Sequence, residues 1–106
     1  MRQLVCRIEA LPGEPIDAAA AYFAQHHEGV MAGLAVHEPE AIALCVPPAG
    51  TDHDAWRSAL AGDLARRFAP VRCNLVAAAS AESEAALLDY LEGAPGITGH
   101  YLAAHE

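Results

Sequence analysis

The sequence predicts one α/β domain whose mainly parallel sheet has four strands alternating with three helices. Three observations carry that reading. An unbroken apolar run at 41–46 and further strand segments, such as 71–77, are separated by longer stretches with helical apolar spacing. Turn chemistry marks the joints: Leu11-Pro12-Gly13-Glu14-Pro15, Pro47-Pro48-Ala49-Gly50 and Gly93. The chain has 106 residues, 54% hydrophobic and 19% charged, which suits a single compact core rather than disorder. Strands that alternate with crossover-length helices pair in parallel.

Residues 3–10 alternate: Leu4, Cys6 and Ile8 fall on one face, Val5, Arg7 and Glu9 on the other. Such a half-exposed strand belongs near a sheet edge. Pro15 suits the first turn of a helix. From there Ile16, Ala20, Phe23, Val30 or Met31, and Leu34 recur at helical spacing, with Gly29 and Gly33 marking fraying or a break near the end. Residues 37–40 form a polar loop. The unbroken apolar run 41–46 reads as a central strand covered on both faces.

After Pro47-Pro48-Ala49-Gly50, Thr51 and Asp54 make a capping-box-like start, and Asp52 and Asp54 suit the positive end of the helix dipole. Trp56, Leu60, Leu64 and Phe68 then form one apolar stripe. Residues 71–77 are the third strand. Ser80 caps a third helix, with Glu82 and Glu84 in its first turn and Leu87, Leu88 and Leu91 toward the core; Gly93 ends it. Residues 99–104 are the fourth strand. Two strand orders fit, 1-2-3-4 and 2-1-3-4, and the apolar pattern favours the first. With all crossovers right-handed, that order puts every helix on one face and leaves the other to be covered by a second copy. Order 2-1-3-4 removes that need.

Charge and cysteine usage exclude several functions. The net charge is -8, all six basic residues are Arg, and no Lys is present. An acidic chain without a basic run does not suit nucleic-acid binding. The first residues lack a signal-peptide pattern, and no apolar run reaches the roughly 20 residues a membrane helix needs. The expectation is a soluble, cytoplasmic domain. Cys6, Cys45 and Cys73 lie in apolar runs without a Cys-x-x-Cys, so each reads as a small hydrophobe.

The run Leu64-Ala65-Arg66-Arg67-Phe68-Ala69-Pro70-Val71-Arg72-Cys73-Asn74-Leu75-Val76 resembles the late part of the short-chain dehydrogenase/reductase family. There a helix ends in an LA…AP phrase and a strand reads roughly V/I-R-V-N-x-V. Residues 91–102, including Ile97-Thr98-Gly99, resemble the family's closing FLAS…ITGQ…L phrase. Ala43 to Gly50 is similar to its strand ending in NNAG, and Trp56, Leu60, Asp63 and Leu64 to its W-x3-L-x2-N-L helix. The resemblance covers about the last two thirds of the chain. It implies a reduced, bacterial, Rossmann-like domain.

The departures from that pattern bear on function. The family's chemistry uses a Tyr and a Lys four residues apart, the Lys lowering the phenol pKa. This chain has Tyr22, Tyr90 and Tyr101 but no Lys. Asp63 stands where the family has a helix Asn, and Ala77-Ala78-Ala79 where it has Pro-Gly. The glycine-rich turn that would bring backbone N–H groups to a pyrophosphate is replaced by a loop with one Gly and two Pro. Gly29 and Gly33 follow a helix instead. No cofactor and no metal are expected.

Other candidates have simpler structural readings. His26-His27 sits at a helix end, and Asp52-His53-Asp54 at a helix start. His100 and His105 flank Tyr101 on a surface strand, and Arg66-Arg67 close a helix. Cys45 with His53 is the one nucleophile–base pair, although apolar neighbours favour burial of the thiol.

The leading expectation is a non-catalytic domain that acts by self-association, as a homodimer or larger, or by binding another protein. The late helix and final strand commonly form subunit contacts in the resembled family. That implies an interface at Leu87, Tyr90, Leu91, Ile97, Tyr101 and Leu102. The alternative is a vestigial oxidoreductase that binds a small molecule or nucleotide at the strand ends, where Pro47, Pro48, Gly50, Thr51, Ala78 and Ser80 gather.

Overall fold

A computed structural model describes residues 2–104. Four parallel strands stand in the order β1(Gln3–Arg7), β2(Ala41–Val46), β3(Arg72–Ala78), β4(Tyr101–Ala104). The register pairs Val5 with Ala43, Ala43 with Asn74, and Leu75 with Tyr101. All six residues of β2 and the first six of β3 are buried. Their side chains meet helices above and below, which is why β2 carries no polar residue, while the two polar residues of β3, Arg72 and Asn74, are buried and hydrogen-bonded.

The first helical region departs from expectation. It is two helices, α1(Pro15–Gln25) and α2(His27–His37), divided at His26 rather than near Gly29 or Gly33. His26 has φ -124, outside the helical range, yet its N–H still bonds the Tyr22 carbonyl. The two glycines lie within α2, and a Cβ at Gly33 would stand 3.6 Å from Leu4 Cδ2, so the small residue brings α2 close to β1. The helix ends on Glu38 in the left-handed conformation, its N–H bonded to Leu34 O.

The buried face of α1 also differs. Ala18 and Tyr22 point inward at 0% exposure, while Ile16 and Phe23 are 83% and 54% exposed. In a run of alanines, Ala18 lets the helix backbone approach the sheet, and Tyr22 fills the space beyond it. The Tyr22 hydroxyl bonds His27 Nδ1 at 2.9 Å across the break, giving the buried phenol a partner.

Helix α3(Asp54–Phe68) is preceded by a 3₁₀ turn, Thr51–His53. The expected Thr51–Asp54 capping box does not form, and no side chain caps either element. The 3₁₀ turn moves the helix start past Thr51, so the two residues do not hold the N-cap and N3 positions a capping box needs. Ser80 does cap α4(Ala81–Glu92), accepting from Ser83 N–H at 3.1 Å.

The helices divide between the two faces. Tyr22, Val30, Leu34, Leu60 and Leu64 cover Ile42, Leu44, Cys73 and Leu75. On the other face Leu87, Leu88 and Leu91 of α4 meet Val5, Ala43, Cys45, Val76 and Leu102. The steps β1→β2, β2→β3 and β3→β4 all move the same way across the sheet, but the last helix lies opposite the others. The last crossover therefore has the opposite hand to the first two. Parallel crossovers are overwhelmingly right-handed, so this sheet contains a connection of the rare kind. The face expected to need a second copy is covered by α4.

Candidate functional site

The parallel sheet brings the ends of β1 and β2 together with the start of α3, at the edge where open α/β sheets gather ligands. Here the loop 11–13, the loop 47–50 and residues Asp52, His53 and Arg57 enclose a cavity of about 180 Å³. A second cavity of about 180 Å³ lies on the α4 side, lined by Arg7, Cys45, Pro47, Pro48, Ala78 and Glu84 among others. Of the six pocket candidates, Gly50 lines the first, Ala78 the second, and Pro47 and Pro48 both. Thr51 and Ser80 line neither: Thr51 opens the 3₁₀ turn and Ser80 caps α4.

His53 is 3% exposed and fastens the first cavity. Its Nδ1 accepts from Trp56 Nε1–H at 3.2 Å, so the ring proton sits on Nε2 and is donated to Gly13 O at 2.9 Å. Both ring nitrogens are thereby occupied in tying the post-β1 loop to α3. Arg57, one turn on, is 1% exposed. Its NH1 donates to the Tyr101 hydroxyl at 2.9 Å, and its guanidinium carbon lies 5.4 Å from the ring centres of both Trp56 and Tyr101. Its Nε is buried without a hydrogen-bond partner.

Cys45 and His53 are not brought together. Cys45 belongs to the cluster under α4, whereas His53 sits on the α3 side. Burial pushes the Cys45 thiol up to about 11, with the Glu84 carboxylate adding to the effect. Burial raises Cys73 to about 11 as well. Among the described residues no group of three or more His, Cys, Asp or Glu is placed to hold a metal ion. His26 forms the break between α1 and α2 and His27 opens α2, and the His100 N–H is donated to Asn74 Oδ1. His105 lies outside the described residues.

The expected interface is mostly turned inward. Leu87, Leu91, Ile97 and Leu102 pack in the α4-side cluster, with Leu91 1% exposed. Tyr101 faces the other side and receives the Arg57 hydrogen bond. Only Tyr90, at 55% exposure, projects outward. The amphipathic pattern of α4 is that of a helix closing its own domain.

The resemblance phrases are explained by a latch between β3 and the final loop. Arg72 NH1 donates to the Leu91 and Ala94 carbonyls at 3.1 and 3.0 Å, satisfying the end of α4. Asn74 donates to Ile97 O, and Thr98 Oγ1 accepts from Cys73 N–H, both at 3.0 Å. Gly99 adopts φ +76 and lies against α3, where an added Cβ would stand 3.7 Å from Gly62 Cα.

A family model described as SDR-like, short chain dehydrogenase-like protein, matches residues 6–104. The chain belongs to that family. The match spans all four strands of the SDR-like domain, from within β1 to the last residue of β4. No curated protein and no solved structure matches the chain. No helix among the described residues is long and apolar enough to cross a membrane.

Proposed function

We propose that this SDR-like domain is a non-catalytic member of its family and acts by self-association, as a homodimer or larger assembly. The observation supporting it is the outward stripe of α1. Ile16 and Phe23 stand seven residues apart on one helix face, with Ala20 between them, and all three are exposed. Beside Ile16 a groove of about 240 Å³, lined by Pro15, Ala19, Ala55, Trp56 and Asp52, continues the apolar surface onto α3. Exposed apolar patches rimmed by polar residues mark association surfaces. A second copy of the chain is the partner this stripe suits, because a self-complementary patch closes a two-fold dimer.

The non-catalytic reading is supported by the chain's chemistry. Without Lys it cannot form the Tyr–Lys pair of its relatives' hydride-transfer site. The loop after β1 has one Gly, which disfavours a dinucleotide pyrophosphate there. Three free thiols suit a reducing compartment, which supports the cytoplasm as the working location. Sedimentation equilibrium at high micromolar concentration tests self-association. A dimer that dissociates in the Ile16→Glu, Phe23→Glu double variant supports it, and a monomeric wild-type chain refutes it.

A further inference from the structure

Burying a guanidinium without a carboxylate beside it is costly, and the cost rises when one of its N–H groups lacks an acceptor. Arg57 meets both conditions. It is 1% exposed, its Nε has no partner, and neither ion pair among the described residues involves it. Of its five N–H donors, one goes to the Tyr101 hydroxyl, and two aromatic rings shield the cation without neutralising it. The same side chain lines the cavity between the post-β1 and post-β2 loops.

We propose that this cavity binds a small organic carboxylate, with Arg57 as its counter-ion. A guanidinium fork matches a carboxylate in shape and charge. Arg57 is the only cation in the wall among the described residues, because the hydrogen bonds of His53 leave its ring neutral and both nitrogens engaged. Pro47 and Pro48 have no N–H to offer and present hydrocarbon to the rest of the ligand. The volume, about 180 Å³, falls below the roughly 300–1,000 Å³ of drug- and cofactor-sized sites. Asp52 also lines the cavity and offsets the pull of Arg57 on a phosphate dianion, whose desolvation costs more than a carboxylate's.

Trp56, the only tryptophan, bonds His53 and lies against Arg57, so its fluorescence reports occupancy. The full chain is titrated near neutral pH with sodium acetate, sodium propionate and inorganic phosphate, ionic strength being held constant with sodium chloride. The expected result is a saturable change with acetate and propionate at millimolar concentrations, and about tenfold weaker binding of phosphate. Arg57→Lys should weaken carboxylate binding about tenfold or more by removing the fork.

Because Arg57 is buried, a second variant guards against misfolding. Gly13→Glu places a carboxylate on the cavity wall at a position where a Cβ meets nothing within 4 Å, and should abolish the response while leaving the melting temperature unchanged. No saturable change up to about 100 mM carboxylate overturns the proposal. So does saturation unaffected by Gly13→Glu, which would place the binding elsewhere, or phosphate binding as tightly as acetate. Neither variant alters the α1 stripe. Because Trp56 also lines the groove there, the titration is repeated on the Ile16→Glu, Phe23→Glu variant, so the sedimentation result and this titration succeed or fail independently.

Discussion

Asn74 and His100 are joined across the domain's last turn: the His100 backbone N–H donates to Asn74 Oδ1 at 3.0 Å. From the other end of the same amide, Nδ2 donates to Ile97 O at 3.0 Å. A buried side chain on β3 therefore fixes the loop that delivers β4 to the sheet edge.

Replacing Asn74 with Ala removes both bonds and leaves a backbone donor and acceptor without partners. Each such group costs about 1–3 kcal/mol, so Asn74→Ala should destabilise the fold by about 2–6 kcal/mol. Urea unfolding followed by circular dichroism measures it. An unchanged midpoint would show that water replaces the side chain.

Gly99→Ala tests the same loop through its backbone. At φ +76 any L side chain is strained, at a cost of about 1–3 kcal/mol. The variant should melt at a lower temperature than wild type. The added methyl group has ordinary contact distances to Ala65 and Gly62, so the loss would report backbone conformation rather than a clash.

The buried thiols predict a pH dependence with a defined sign. Cys45 and Cys73 ionise near 9.0 when unhindered and near 11 in the fold. Between those values the unfolded chain loses protons that the native chain keeps, so native stability falls as pH rises from about 9 toward 11. Below 9 this contribution is fully present. A Cys45→Ala, Cys73→Ala variant should show a shallower decline across that window, and Cys45 and Cys73 of native wild type should react slowly with iodoacetamide until the chain is denatured.

The Arg7–Glu84 ion pair connects β1 to α4 at 2.6 Å, but the Arg7 side chain is 53% exposed. Exposed pairs contribute about 0–1 kcal/mol. Glu84→Gln should change stability by less than about 1 kcal/mol, and the difference should shrink as salt is added. A larger loss would mean that α4 docking depends on charge rather than on Leu87, Leu88 and Leu91.

The strand pattern was legible because β2 is apolar along its whole length, a composition that burial on both faces favours, and because β3 keeps Cys73, Leu75, Val76 and Ala77 between turn signals. The closing phrase was legible for a different reason. Arg72, Asn74, Thr98 and Gly99 each meet a specific demand of one loop, so their order in the sequence carries the geometry. The inward face of α1 was not legible. Ala18 to Ala21 give helical periodicity no contrast, and the larger Ile16 and Phe23 drew the stripe to the wrong side. Arg57 was missed because nothing local distinguishes it from a surface arginine: its burial depends on Tyr101, which lies 44 positions along the chain. The side on which α4 packs was missed as well, because helical periodicity specifies an apolar face without saying which layer of the sheet receives it.

That placement has a consequence during synthesis. A ribosome delivers β1, β2 and β3, together with α1, α2 and α3, before any part of α4 has been made. Until Ala81–Glu92 emerges, Val5, Ala43, Cys45 and Val76 form a bare, sticky underside on a nascent sheet whose other side is already sealed. Newly made chains are thus most prone to clumping, and most in need of a chaperone's shelter, just before the final helix swings beneath them.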